Sequence, residues 1–83
     1  IKVMTFKNLQ FIDHPIGGGI MAQATLNNGK RLSVIAGAGF YSTPNSPISD
    51  VKEAVSFEVM VGDSEPLGWK SREEITNIIK ENS

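Results

Sequence analysis

The chain has 83 residues, of which eight are basic and nine acidic, giving a net charge of −1, and 40% are apolar. That length holds one hydrophobic core and excludes a second domain, so residues 1–83 are expected to form a single unit, and the composition lies outside the disordered, collagen-like and coiled-coil classes. The even charge balance disfavours a general nucleic-acid binder, the lack of cysteine removes disulfides as a support and fits a cytoplasmic protein, and no apolar run approaches the roughly 18 residues of a membrane-spanning helix.

In chain order, Thr5-Phe6-Lys7-Asn8 reads as a single helical turn, and Leu9 and Phe11, at period two, place a short strand near residues 8–12. Two clearer strands follow. Ile20, Ala22, Ala24 and Leu26 alternate with Met21, Gln23 and Thr25, and Leu32, Val34 and Ala36 alternate with Arg31, Ser33 and Ile35. A two-residue turn at Asn28-Gly29 would set Leu26 opposite Arg31 and mix polar with apolar groups on each face. A three-residue Asn27-Asn28-Gly29 loop, with Gly29 left-handed, instead sets Ala24 opposite Leu32 and Ala22 opposite Val34, and is the expected connection.

Residues 37–53 contain Gly37-Ala38-Gly39, Phe40-Tyr41, two prolines and several hydroxyl residues, and read as a long loop. The next strand is expected to place Val55, Phe57, Val59 and Val61 on one face and Ser56, Glu58 and Met60 on the other. Trp69 is expected to pack over the start of the final helix. Ser71 and Glu74 form a capping box for that helix, and Ile75, Ile78 and Ile79 make its apolar stripe to about Glu81. The expected fold class is therefore α+β: a small antiparallel sheet of about four strands with one C-terminal helix packed on one face. The other face combines Gln23, Thr25, Arg31, Ser33, Ile35, Ser56, Glu58 and Met60, too mixed for a core and too apolar at Ile35 and Met60 for a purely solvated surface.

The residue types that catalysis needs are thin. The single histidine, in Asp13-His14-Pro15, reads as a loop residue, and no second histidine or cysteine accompanies it to form a metal cluster, so neither an enzyme, a metal site nor a cofactor is expected. The glycine clusters match no nucleotide fingerprint: Gly17-Gly18-Gly19 precedes a strand, and Gly37-Ala38-Gly39 leads into a proline-containing loop. Glycines do let a ligand approach the backbone, and Phe40 and Tyr41 beside Ser42 and Thr43 offer a stacking surface with hydroxyl donors. Gly37, Gly39, Phe40, Tyr41, Ser42 and Thr43, with Lys30 and Arg31, are therefore the candidate ligand-binding residues.

One ordered set of landmarks runs along the chain: Thr5-Phe6-Lys7, His14-Pro15 with Gly17 and Gly19, Asn28-Gly29 before Leu32-Ser33-Val34, Phe57-Glu58-Val59, and Gly68-Trp69 before Glu73-Glu74-Ile75. With these landmarks the chain resembles, over nearly its whole length, the small accessory proteins of tailed bacteriophages. It departs from them in carrying Lys30-Arg31 where an aromatic commonly follows the Asn-Gly turn, and Gly62-Asp63-Ser64-Glu65-Pro66 where an acidic stretch commonly precedes Gly-Trp. The resemblance implies a viral protein that acts in the host bacterial cytoplasm against host immunity. Of the two mechanisms that fit, the expected one is sequestration of a nucleotide-derived immune signal, at an oligomer interface, by the candidate residues named above; the alternative is a protein blocker, similar in logic to anti-CRISPR proteins, that covers a host defence protein with its open sheet face and long loop.

Overall fold

The three-residue loop forms as expected and sets the register of the sheet. In the computed structural model, which describes residues 4–82, strand β2 (Gly19–Thr25) pairs antiparallel with β3 (Arg31–Gly37), placing Ala22 opposite Val34 and Ala24 opposite Leu32. Gly29 stands at φ +89°, and the Leu26 amide donates to the Lys30 carbonyl at 2.8 Å across the turn. The Asn28 side chain accepts from the Lys30 amide at 3.0 Å, and its own amide group donates to Asn82 Oδ1 at 3.1 Å, tying the hairpin to the C-terminus.

The sheet has five strands, not four. β1 (Ile12–Asp13), β2, β3, β4 (Phe57–Val61) and β5 (Leu67–Lys70) follow one another in space in chain order, every neighbouring pair antiparallel. β5 escapes the sequence pattern because its four residues include Gly68 and a bulge: Phe57 pairs with Lys70 and Val59 with Leu67, so Gly68 and Trp69 together oppose the single Glu58. The first strand lies at 12–13, later than the expected 8–12. Phe6–Asn8 forms a 3-10 turn before it, and that turn turns Phe6 and Leu9 into the core.

One face of the sheet carries Ile20, Ala22, Leu32, Val34, Ala36, Phe57 and Val59, all buried, beneath helix α1 (Arg72–Glu81), which contributes Ile75 and Ile79. Phe6, Phe11 and Phe57 pack with ring centroids 5.1 to 5.7 Å apart. The Arg72 guanidinium lies over Phe6 and Phe57 at 5.4 and 5.2 Å and donates to the Val51 carbonyl at 2.8 Å, which fastens the 3-10 turn Val51–Glu53 of the long loop to the core. The expected capping box is present: the Glu74 amide donates to Ser71 Oγ at 3.1 Å and the Ser71 amide to Glu74 Oε1 at 3.0 Å. No helix among the described residues is long and apolar enough to cross a membrane.

At the start of β4 the expected alternation fails. Val55 is exposed and Ser56 buried, because residues 55 and 56 bond the backbone of Thr43 before the strand proper begins, and the chain turns over between Ser56 and Phe57. Ser56 therefore does not belong to the open face.

Replacing Phe57, fully buried beneath two other rings, by alanine is expected to lower unfolding free energy by about 3–5 kcal/mol, read from the urea midpoint at unchanged slope. The Ser71 amide and hydroxyl, then Lys70, hold the Glu74 carboxyl below the usual glutamate range. A group lowered on folding contributes its stability above its unfolded pKa and loses it as pH falls through the folded one. The melting temperature of the wild type should therefore fall more steeply with acidification through and below the usual carboxylate range than that of Glu74→Gln.

Candidate functional site

The eight candidate residues occupy two places, not one. Lys30 and Arg31 stand at the hairpin end of β3, whereas Gly37 and the residues after it stand at the other end of the same strand. Six residue steps of extended chain separate Arg31 from Gly37, about 20 Å at the usual rise. Arg31 is exposed and donates to Gln23 Oε1 at 3.0 Å, and the Lys30 stem lies against Gly62.

The glycine-aromatic loop is present, but its backbone donors and the Ser42 hydroxyl are used within the protein, while Thr43 is exposed. Ser42 is only 2% exposed; its hydroxyl accepts from the Gly37 amide at 3.0 Å and donates to the Gly37 carbonyl at 3.3 Å. The Gly39 amide donates to Asn45 Oδ1 at 2.8 Å, the Tyr41 amide to Glu58 Oε1 at 3.0 Å, and the Ala38 amide to the Gly18 carbonyl at 3.0 Å. The amides of Phe40, Ser42 and Thr43 bond the carbonyls of Gly37, Phe40 and Ser56. Every backbone donor from Gly37 to Thr43 is thus engaged within the protein, so the loop offers no free row of N–H groups to an anion.

What the loop does is lay two aromatic rings on the open face of the sheet. A side chain at Gly19 would meet the Phe40 ring at 3.0 Å, and Phe40 in turn packs against His14 with ring centroids 4.8 Å apart. A Cβ at Gly37 would lie 2.4 Å from the Gly18 carbonyl oxygen, so the strand ends close together only because both positions lack side chains. At Gly68 a Cβ would meet that of Tyr41 at 2.9 Å. This clearance lets Tyr41 lie along β5, where its carbonyl accepts from the Trp69 amide at 2.9 Å and its ring stacks on Trp69 with centroids 5.2 Å apart and planes at 29°.

Trp69 is therefore not over the helix start. It is 60% exposed, at φ +54° in the β5 bulge, facing away from the core with Tyr41 at 54% exposure. The bulge is the physical reason: its extra residue carries the indole out of the alternation that would have pointed it inward.

The two rings end a longer feature. Ile12 pairs with Met21, Met21 with Ile35, and Ile35 with Glu58, which stands opposite Gly68 and Trp69. Directly paired residues share a face, so Ile12, Met21, Ile35, Glu58 and Trp69 form one row across all five strands, about 19 Å long at the usual strand spacing. Ile12 is 62% exposed, while Met21, Ile35 and Glu58 are half-buried. Glu58 is the only charged member of the row, and among the described residues its carboxylate accepts one hydrogen bond, from the Tyr41 amide. The adjacent row, Gln23, Ser33 and Met60, is more polar.

Elsewhere the surface is less organised. A cleft of about 260 Å³ between the N-terminal segment and the long loop is lined by residues including Leu9, Phe11, Asp13, Asp50 and Val51, and contains none of the candidate residues. Asp50 there caps the 3-10 turn through the Lys52 amide at 2.9 Å. His14 does not pair with Asp13; its Nδ1 accepts from the Ile16 amide at 3.2 Å and closes the local turn. Among the described residues no group of three or more His, Asp and Glu side chains is placed to hold a metal ion.

The sequence marks Tyr41, Phe40, Ile35, Glu58 and Met60 but not Ile12, Met21 or Trp69. Ile12 and Met21 carried a signal, an apolar residue at an outward-facing position; Trp69 carried none, because only the bulge turns it out. Comparison of the chain with models of known protein families, with curated proteins and with solved structures finds no match.

Tyr41→Ala is expected to leave the fold intact, at a cost of about 0.5–1.5 kcal/mol for the lost ring pair. Because Trp69 is the only tryptophan, its emission anisotropy should fall in the same variant, whereas Phe40→Leu should leave that signal unchanged.

Proposed function

We propose that this chain is a non-catalytic binding module that acts by laying the open face of its sheet on another protein. The observation that carries this reading is the uninterrupted row from Ile12 to Trp69, ending in two stacked rings that are each more than half exposed. Such a surface holds apolar area in water, and tryptophan and tyrosine supply large, rigid contacts at low conformational cost, the character of an interface hot spot. The flanking Gln23, Ser33, Thr25 and Arg31 provide the polar rim.

In the bacteriophage setting that the resemblance implies, the covered protein is an effector of bacterial immunity and the effect is inhibition by occlusion. Sequestration of a nucleotide draws less from the geometry. The loop amides that would hold phosphate are engaged, and Lys30 and Arg31 lie about 20 Å from the loop.

The test uses a partner recovered from bacterial lysate and then purified. Binding measured by calorimetry should weaken about 30-fold or more in Trp69→Ala or Tyr41→Ala, as removal of a hot-spot ring does, and should change less than about 3-fold in a Lys30→Ala, Arg31→Ala double variant, as removal of rim charges does. A melting temperature raised by cyclic or linear nucleotides or by ADP-ribose, through mass action, or a partner retained equally by the aromatic variants, would overturn the reading.

A further inference from the structure

The sole charge in the apolar row is a constraint on what can dock there. Glu58 lies half-buried between Ile35 and Trp69, it holds one hydrogen bond from the Tyr41 amide, and no basic side chain pairs with it among the described residues. A protein that covers the row removes water from this carboxylate. An ionised group desolvated without a partner strongly opposes association, so the covering surface must bring a cation to it.

The neighbours of Glu58 narrow the choice. The carboxylate accepts from the Tyr41 amide, and the stacked Tyr41 and Trp69 residues on that side of the row are each more than half exposed. A guanidinium satisfies both at once, since it stacks on aromatic faces and donates in a planar fork to a carboxylate, whereas a lysine ammonium serves as a point charge only.

A second copy of this chain does not meet the requirement in either arrangement centred on the row. Two copies placed face to face about a two-fold axis along the row set Glu58 against Glu58. About an axis along β3 through Ile35, they set Glu58 against Met21, which holds the matching place on the other side of the row. The nearest basic residue of the same face, Arg31, stands four residues along β3 from Ile35, about 13 Å away.

We propose that the open face recognises a heterologous protein segment bearing an arginine, whose guanidinium binds the Glu58 carboxylate while stacking against the Tyr41 and Trp69 rings. This rests on the reading of the face as a protein-docking surface and adds the chemistry of its occupant.

The test selects a displayed library of random peptides against the folded protein and measures the winners as free peptides against wild type, Trp69→Ala and Glu58→Gln. Glu58→Gln keeps an acceptor for the Tyr41 amide and removes only the charge; its melting curve verifies the fold. The expected result is a set of peptides with arginine at a fixed position, each weakened about 10-fold or more by Trp69→Ala and by Glu58→Gln, and weakened alike when that arginine is replaced by neutral, isosteric citrulline. Peptides lost on Trp69→Ala yet indifferent to Glu58→Gln and to citrulline would overturn the arginine assignment and leave the docking surface standing. Peptides indifferent to Trp69→Ala, or no binders at all, would overturn both.

Discussion

The Asn27-Asn28-Gly29 loop is three residues long rather than two, and that one residue decides which side of every strand faces the helix. Side chains on a strand alternate with a period of two, so a slip of one position at this hairpin would turn one strand over against the other and set Met21 and Gln23 on the same face as Leu32 and Val34. The buried face would then carry polar groups without partners, and the apolar row would have no common plane. Gly29 permits the loop at φ +89°, and the Asn28 side chain and Asn82 hold it from either side. The core and the exposed surface are two results of the same register.

A second constraint acts at the opposite end of the hairpin. Gly19, Gly37 and Gly68 leave room for backbone and rings where side chains would collide, so residues 38–43 fold back across the sheet rather than away from it. Their amides are consumed in holding that path. The loop trades the capacity to hold an anion for the capacity to position Phe40 and Tyr41.

Much of this was legible in the sequence. Alternation in residues 20–26 and 31–36, together with the cost of mixing polar and apolar faces, suffices to choose the hairpin loop, and Ser71 with Glu74 marks the start of the helix. What was not legible depends on departures from periodicity. The β5 bulge turns Trp69 outward, the Thr43 pairing inverts Val55 and Ser56, and β5 itself is too short to show a pattern. The candidate site was half legible for a related reason: proximity in sequence placed Lys30 and Arg31 near Gly37, but an extended strand carries its two ends apart.

The carbonyl of Tyr41 accepting from the Trp69 amide has one more consequence. It engages one backbone donor of the last strand, where open backbone groups would otherwise invite another strand to add. At the first strand the margin is only two residues long, includes the charged Asp13, and ends before Pro15. Edge strands this short, one of them with a backbone donor already engaged, give another strand little to add to, so association is left to the open face.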